Sequence, residues 1–523
     1  MHKRRAQQPS DSNGAHEQPA AGKPAIDHGS SAQIAVAGRR AKISPDYANI
    51  DNAIPRTQPK PRSWSKPLSS LRRPIRPIKS VPRTTRRSVV EYVPLASILP
   101  NPINPRTHSR QQIEALAHSI EAFGFNAPIL VDGENRVVAG HARLEAARLL
   151  GLQEVPVIRL EHLTEAQAKA YMLADNKLTD RSGWDDAKVA IVLKGLSEMA
   201  LEFEIEATGF ETAEIDLRIQ SLDPSADVAD SADDFEPWRG PAVSGLGDLW
   251  KLGPHRLLCG SSLDSHVYGV LLGGEKASAV FADPPYNVPM KGHAGGKGRR
   301  KHREFPMASG EMTEDAFCRF LEDALGLAAA HSLEKAISFA CMDWRHSPEI
   351  QGAIRGIGCE ILNLCVWVKT NGGMGSLYRS QHEFVFVYGR AGVAHINNVQ
   401  LGKFGRNRTN VWNYPGMNSF TRRGRTRGLD MHPTVKPIAM VSDAILDVTQ
   451  RGDIVLDPFC GSGTTILAAE RTGRRAHAIE LDPGYVDTAV ERWQRITGQS
   501  AVHANGLTFD EMRSERLVAS RGA

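Results

Sequence analysis

The sequence predicts an α/β fold in which a parallel sheet presents its loops along one edge. Two short segments carry this prediction. The first, Asp283-Pro284-Pro285-Tyr286, follows an apolar run at 279–282 that is typical of a buried strand. The second, from Asp457 to Thr465, follows the apolar run 454–456 and leads into a helical pattern at 466–471. Because parallel strands end at the same edge of a sheet, we expect both segments to reach one ligand crevice.

Length and composition narrow the class of protein. The 523 residues have room for two or three domains, and 41% hydrophobic residues suit folded cores. No apolar run approaches the roughly 18–20 residues that span a bilayer, and the basic start lacks the apolar region of a signal peptide. The 6 cysteines show no paired short spacing, which disfavours a metal site and a disulfide framework. We expect a cytoplasmic protein without membrane association or metal.

The net charge of +5 hides an uneven distribution: residues 1–88 form a strongly basic tail, and the rest of the chain is slightly acidic overall. The tail is rich in Pro, Ser, Ala and Arg, so it cannot bury enough apolar surface to offset its ordering entropy. We predict that it is disordered. Such a tail can bind polyanions without sequence preference. A solvated leader or a wrongly assigned start codon is the alternative.

The first folded block, residues 89–180, alternates short strands with helices. Val90 to Leu95 alternates like a strand, and Ser109 is placed to cap a helix from Arg110 to Phe123. A predicted hairpin around 132–135 follows, and Gly140-His141-Ala142-Arg143 then opens another helix. This pattern predicts a small α+β domain.

In order and in residues, this block resembles the N-terminal domain of the ParB family. Gly140 to Arg143 stands at the position of that family's phosphate loop. The resemblance implies that this loop and Asn104-Pro105-Arg106 face a nucleoside triphosphate or a nucleic-acid backbone, and a helix N-terminus suits an anion. The nucleotide-binding members favour Gly-Glu-Arg-Arg, whereas this chain has His141 and Ala142. CTP binding and a DNA-contacting or architectural role therefore both stay open.

The remaining boundaries follow from composition. Residues 181–240 are predicted as a helical extension followed by an acidic linker, which begins at Asp216 and ends at Trp238. The second folded block is expected over residues 241–500, and residues 501–523 are expected to form a C-terminal tail.

The first loop of the second block is suited to hold an aromatic amine. The Asp283 carboxylate and the Pro284 carbonyl can accept hydrogen bonds from an amine that gains positive charge, and Pro285 helps to keep that carbonyl in place. Tyr286 can stack on a base that has left the duplex. The structural alternative is a Pro-Pro turn that closes a strand, with Asp as its turn residue.

The second loop is rich in Gly but differs from phosphate-binding loops. It lacks the Lys of a P-loop, and Ile466 stands where a dinucleotide fingerprint has its third Gly. Gly461 and Gly463 still let the backbone approach a ligand closely. Glu480 ends the next predicted strand, where an acid is well placed for ribose hydroxyls.

Together these loops resemble the amino-methyltransferases of DNA that use S-adenosylmethionine, in the group where the amine loop precedes the cofactor loop. The resemblance implies a Rossmann-like methyltransferase domain. It also implies that Asp264 contacts the adenine of the cofactor and that Thr434 and Lys436 lie near the cofactor's carboxylate. Phe459 and the Gly turn are implied to contact the cofactor's methionine portion. The cofactor-binding residues it implies are Asp264, Thr434, Lys436, Asp457, Phe459, Gly461, Gly463, Thr464 and Glu480.

Basic, Gly-rich loops interrupt this block, and the first directly follows the amine loop. We assign these loops to phosphate contact, with solvated loops as the alternative. The predicted DNA-binding residues are Lys297, Arg299, Arg300, Lys301, Arg303, Arg422 and Arg423.

The sequence therefore predicts a nucleoid-associated enzyme that methylates the exocyclic amine of a flipped base in double-stranded DNA. Adenine N6 is the expected target, because the resembling family tends to carry Asp before Pro-Pro-Tyr in adenine enzymes and Ser in cytosine-N4 enzymes. The alternatives are cytosine N4, amines of RNA or protein, and a ParB-like DNA-binding protein whose second half is inert. The oligomeric state stays open, with a homodimer as one alternative.

Overall fold

The computed structural model describes residues 88–179, 183–199, 201–222, 231–233, 235–288, 308, 310–370, 372, 377–399, 406, 408–416 and 435–522. The predicted disordered tail therefore lies, except for Ser88, outside the described residues.

The first domain is built on a four-stranded sheet with the strand order β1-β4-β2-β3. Its elements are β1 (Val90–Pro94), α1 (Arg110–Phe123), β2 (Ile129–Val131), β3 (Val137–Ala139), α2 (His141–Leu149) and β4 (Glu154–Arg159). β2 and β4 pair in parallel, whereas the other neighbours are antiparallel. Ile129, Val157 and Leu144 are fully buried between the sheet and α2. The small α+β domain is therefore confirmed.

Local chemistry accounts for the boundaries of this domain's elements. The Ser109 side chain accepts a hydrogen bond from the Gln112 amide at 3.1 Å, which caps α1 as predicted. α1 ends at Gly124, whose φ of 83° lies in the left-handed region. In the hairpin, Asp132 accepts from the amides of Glu134 and Arg136 at 2.9 and 2.8 Å.

Three helices continue the chain from the first domain. They are α3 (Glu165–Thr179), α4 (Asp186–Ser197) and α5 (Thr212–Gln220). Leu193 of α4 and Ile215 of α5 are buried in one small apolar cluster with Ile205. This cluster holds the predicted helical extension together.

The second domain contains a ten-stranded mixed sheet in the order β11-β9-β10-β8-β7-β12-β13-β6-β5-β14. Its strands are β5 (Leu249–Leu252), β6 (His255–Cys259), β7 (Ala277–Ala282), β8 (Ser332–Met342), β9 (Cys359–Val368), β10 (His382–Arg390), β11 (Val411–Asn413), β12 (Ile454–Asp457), β13 (Arg475–Glu480) and β14 (Val502–His503). Its helices are α6 (Ser265–Leu272), α7 (Glu314–Ala330), α8 (Ser347–Gly356), α9 (Ile438–Val448), α10 (Thr464–Thr472), α11 (Pro483–Thr497) and α12 (Phe509–Gly522).

The five central strands, β8-β7-β12-β13-β6, are all parallel to their neighbours. β7 and β12 are almost wholly buried, as their unbroken apolar runs predict. After β7 the chain passes through α7 to β8 on one side, and after β12 it passes through α10 to β13 on the other. The two connections diverge between β7 and β12, which is where open α/β sheets bind ligands. The predicted α/β fold is confirmed.

The segments predicted as linker and C-terminal tail make specific contacts. Asp216 in α5 pairs with Arg451 and Arg474 of the second domain at 3.0 and 2.8 Å. Within 501–523, Phe509 at the start of α12 is fully buried and packs edge-on against Trp250 of β5. In the described part of the chain, no helix combines the length and apolar character needed to cross a membrane.

Candidate active site

Four neighbouring strands deliver the predicted site residues to one edge of the sheet. Asp283 directly follows β7, Asp457 ends β12, and Glu480 ends β13. Asp264 follows β6, whose last residue pairs with Glu480. Since β7, β12, β13 and β6 are consecutive and parallel, the amine loop and the cofactor candidates lie side by side, as predicted.

The Asp283 carboxylate is bonded to a buried lysine. Both of its oxygens lie 2.7 Å from Nζ of Lys436, whose side chain is only 3% exposed. The Tyr286 hydroxyl donates to Oδ1 of Asp283 at 2.9 Å and accepts from Lys436 at 3.1 Å. Tyr286 is thereby held beside the carboxylate, with Lys436 Nζ 5.4 Å from its ring centroid. The sequence assigned Lys436 to the cofactor, but these contacts join it to the amine loop.

A second carboxylate, Glu383 of β10, completes what we call the acceptor cluster: Asp283, Tyr286, Lys369, Glu383 and Lys436. Glu383 lies 3.2 Å from Lys436 Nζ and accepts a hydrogen bond from Lys369. It also lies 3.3 Å from the Tyr286 hydroxyl. Two lysines thus face two carboxylates in a largely buried space.

The charged groups in this cluster shift one another's pKa values. Burial lowers the pKa of Lys436, but Asp283 and Glu383 outweigh that effect and hold it above its usual range. Burial raises the pKa of Glu383, yet Lys436 and Lys369 reverse this and lower it to about 2. Burial also raises the pKa of Asp283, with Lys436 opposing the shift. Lys436 therefore stays charged at neutral pH.

The two glycines of the second loop have different roles. Gly461 has a φ of 52°, and a Cβ placed on it would meet no atom within 4 Å, so its backbone faces open space. Gly463 has a φ of 83°, and a Cβ there would lie 2.9 Å from Cβ of Ala489 in α11. Gly461 is therefore free to approach a ligand, whereas Gly463 is needed for close packing of the loop on α11.

Two acids flank the turn at Gly461. Glu480 accepts from the Gly461 amide at 2.7 Å and from the Asp482 amide at 2.8 Å. Asp457 accepts from the Phe459 amide at 2.9 Å. Burial raises the pKa of both Asp457 and Glu480 to about 7. Both acids can therefore change charge near neutral pH.

The remaining cofactor candidates lie close by in different settings. Thr464 is the first residue of α10, and its hydroxyl lies 3.2 Å from the buried guanidinium of Arg492 in α11. Phe459 is half-buried, with its ring centroid 6.2 Å from that of Phe320. Asp264 is exposed and caps α6 by accepting from the His266 amide at 2.9 Å.

Several predicted residues lie outside the described residues. They are Thr434 among the cofactor candidates and Lys297, Arg299, Arg300, Lys301, Arg303, Arg422 and Arg423 among the DNA-binding candidates.

The predicted anion loop of the first domain is engaged by its own backbone. Gly140 has a φ of 101° and opens α2, as the sequence predicts. The Arg143 guanidinium, however, donates to the carbonyls of Ala127 and Pro128 at 2.6 Å each. Arg106 donates to the backbone and the side chain of Asn176 at 3.3 Å. In the structure both arginines therefore help to hold the domain together.

Four residues that the sequence did not single out now belong to the site. Glu383 and Lys369 complete the acceptor cluster, while Arg492 holds the Gly loop through Ser462 at 3.2 Å. Asp233 pairs with Arg492 at 3.2 Å. Its Oδ1 also lies 3.3 Å from the Ile438 amide at the start of α9.

Comparison with known proteins agrees with both halves of the structure. A family described as DNA methylase matches residues 277–491, and the ParB N-terminal domain matches residues 79–177. The ParB-like nuclease domain-containing protein YnaK of Escherichia coli K12 is 42% identical over 78 residues, which are 15% of this chain and 90% of YnaK.

The methylase relatives are more distant in sequence. The type II methyltransferase M2.MboI of Moraxella bovis is 30% identical over 145 residues, which are 26% of this chain and 51% of that enzyme. This chain thus matches about half the length of the Moraxella enzyme. A Thermus thermophilus protein described as a DNA modification methylase, solved with S-adenosyl-L-methionine, is 22% identical with a TM-score of 0.33, and the match covers 46% of this chain and 93% of that one.

Both resemblances predicted from the sequence are confirmed by the family matches. The chain contains a domain of the N6/N4 DNA methylase family, and a ParB-like domain precedes that domain.

Proposed function

We propose that this chain transfers a methyl group from S-adenosylmethionine to the exocyclic amine of a base in double-stranded DNA, with adenine N6 as the target. One observation carries the proposal. The amine loop at Asp283 and the open Gly turn at Gly461 follow β7 and β12, which are neighbouring parallel strands. A donor and an acceptor held by these loops would meet at a single edge of the sheet.

The residues around the Gly turn fit the cofactor. The open backbone at Gly461 allows close approach, and Asp457 and Glu480 supply acceptors for hydroxyl and ammonium groups. Asp264 lies on the next loop along the same edge. When bound, S-adenosylmethionine would supply an electrophilic methyl group on a sulfonium.

The acceptor cluster would prepare the amine. An aromatic amine is a poor nucleophile because its lone pair is delocalised into the base. Asp283 and the Pro284 carbonyl would accept hydrogen bonds from its two N–H groups and stabilise the positive charge that develops as nitrogen bonds to the methyl carbon. As this bond forms, the bond between the methyl carbon and the sulfonium sulfur would break, and the nitrogen would then release one proton to solvent. Tyr286 would stack on the flipped base, and its hydroxyl, bonded to Asp283, fixes its position.

Adenine is favoured over cytosine by the identity of the first loop residue. The chain has Asp283 rather than Ser before Pro-Pro-Tyr, which is the tendency of adenine-N6 enzymes in this family. Cytosine N4 is the alternative, because the same acceptors suit its amine. We further propose that the basic loops at 291–303 and 422–427, together with the ParB-like domain, contact the DNA backbone.

Mapping modified bases tests this proposal. Genomic DNA from cells with the gene should contain N6-methyladenine at a defined sequence, and DNA from cells without it should lack that mark. Identical base modification in both samples would contradict the proposal. Methylation of cytosine N4 alone would keep the enzyme class and overturn the choice of base.

A further inference from the structure

Lys436 carries an ammonium that is almost fully buried between two carboxylates. It lies 2.7 Å from both oxygens of Asp283 and 3.2 Å from Glu383. A buried charge is costly unless it is paired and hydrogen-bonded. The two carboxylates therefore hold the lysine charged, and the lysine in turn acts on Asp283.

A cation paired with Asp283 favours the ionised form of its carboxyl group in this buried position. Burial raises its pKa, and Lys436 opposes this shift. A protonated carboxyl would lose the negative charge that stabilises a cationic amine, and one oxygen would become a donor. The ion pair at 2.7 Å favours the form of Asp283 that the proposed reaction requires.

We propose that Lys436 is a positioning residue for methyl transfer: its ammonium keeps Asp283 anionic and fixes both carboxylate oxygens, while Glu383, anchored by Lys369, holds that ammonium. This inference rests on the proposed function. It gives Lys436 a role at the amine rather than the role at the cofactor's carboxylate that the family resemblance implies.

The surroundings of Asp283 support this role. Besides Lys436, the titratable groups that act on it or feel its charge are Glu383 on β10, Tyr286 in its own loop, Cys341 on β8 and Asp457 on β12. Lys436 is the cation among these groups. A carboxylate has about four acceptor positions, so Asp283 can bind the ammonium and still accept from an amine.

The test is the pH dependence of methyl transfer in a single turnover, measured on the full chain. Loss of Lys436 should raise the pKa of Asp283, so Asp283 is ionised only at higher pH. For Lys436→Met we expect the acid limb of the pH–rate profile to move to higher pH by about one unit or more. The rate at pH 7 should fall at least about tenfold and should recover towards pH 9. Lys436→Arg keeps the charge and should keep the limb near that of the wild type.

Two further variants sharpen this test. Glu383→Gln removes a negative charge beside Asp283, so its acid limb should move the opposite way, to lower pH. Lys276→Met is the control, because Lys276 is exposed and directly precedes β7 at the end of the strand opposite to Asp283. An unchanged limb in Lys436→Met would overturn the inference, as would a raised KM for S-adenosylmethionine with an unchanged pH profile.

An unfolding measurement makes the test independent of activity. Without Lys436, the raised pKa of Asp283 stabilises the fold at low pH, and this contribution is lost as pH rises through that pKa. Lys436→Met should therefore lose more stability relative to the wild type at pH 8 than at pH 4. An equal loss at both pH values would refute the inference. A wild-type protein that transfers no methyl group would refute the proposed function, and the unfolding data would still decide the role of Lys436.

Discussion

The Asp216 carboxylate in α5 lies 2.8 Å from the guanidinium of Arg474, and both side chains are almost completely buried. Arg451 contacts the same carboxylate at 3.0 Å. Arg474 also donates to the Thr449 carbonyl at 2.8 Å, which places it inside the methylase domain. The helix that precedes the methylase domain is therefore bonded to its core.

Asp216→Ala should strongly destabilise the protein, because it leaves Arg474 buried without its carboxylate partner. Removing one partner of a buried ion pair typically costs about 3–5 kcal/mol. Asp186→Ala is the matched control, since Asp186 is 82% exposed and pairs with Arg218 on the surface. That control should lower the free energy of unfolding by at most about 1 kcal/mol. Urea unfolding measures both, and equal losses would contradict a structural role for the Asp216 pair.

Two truncations should separate the ParB-like domain from the helices that follow it. Removal of residues 1–182 keeps Asp216 and Asp233, so cofactor binding and methyl transfer should persist. Removal of residues 1–236 deletes both acids, and Arg492, which holds the Gly loop, loses its contact with Asp233. We expect this longer truncation to bind cofactor poorly and to unfold at a lower temperature. Full activity of the longer truncation would show that the extension is dispensable.

Gly461→Val should abolish binding of S-adenosylmethionine, because a side chain would enter the open space beside the turn. Gly452→Val is the matched control. Gly452 has a φ of 77° and equally open surroundings, but it precedes β12 at the opposite end of the strand. Both variants carry similar backbone strain. Calorimetry should show lost binding in Gly461→Val alone, and parallel losses in the two variants would count against the assignment of the turn.

Asp457 and Glu480 should make the stability of the protein depend on pH. Burial raises the pKa of each to about 7, above the value of about 4 for an unfolded chain. The folded state therefore binds more protons between these values, and the free energy of unfolding should fall as pH rises from 4 to 7. Each group contributes at most about 1.4 kcal/mol per pH unit.

The double variant Asp457→Asn, Glu480→Gln should flatten this slope, whereas Glu334→Gln, which alters an exposed acid of β8, should leave it unchanged. Urea unfolding at a series of pH values provides the measurement. A slope that survives the double variant would assign the pH dependence to other groups.

The sequence predicted what depends on local pattern. Apolar runs before Asp283 and Asp457 located two buried strands, and the parallel sheet then brought their loops together. The sequence did not predict the acceptor cluster, because its members are far apart along the chain. Lys436 is 153 residues away from Asp283, and Glu383 is 97 residues away from Tyr286. Such contacts depend on the strand order of the finished sheet.

The contacts of the acidic linker also could not be predicted from the local sequence. In isolation, an acidic stretch is typical of a solvated segment, and no local pattern indicates its partners. Asp233 pairs with Arg492, which follows it by 259 residues. Asp233 therefore forms an ion pair with a buried arginine, and the two residues lie close together only in the folded protein.

The role of Asp283 in methyl transfer can be measured with a tritiated methyl donor and DNA, by comparing wild-type protein with Asp283→Ala and analysing the product nucleosides. Asp283 supplies the charge that stabilises the amine, and loss of such a contact typically lowers the rate by about 10²–10³. We predict N6-methyladenine from the wild type, a loss of at least this size in Asp283→Ala, and unchanged cofactor affinity in calorimetry. Wild-type rates from Asp283→Ala would show that Asp283 does not stabilise the amine during methyl transfer.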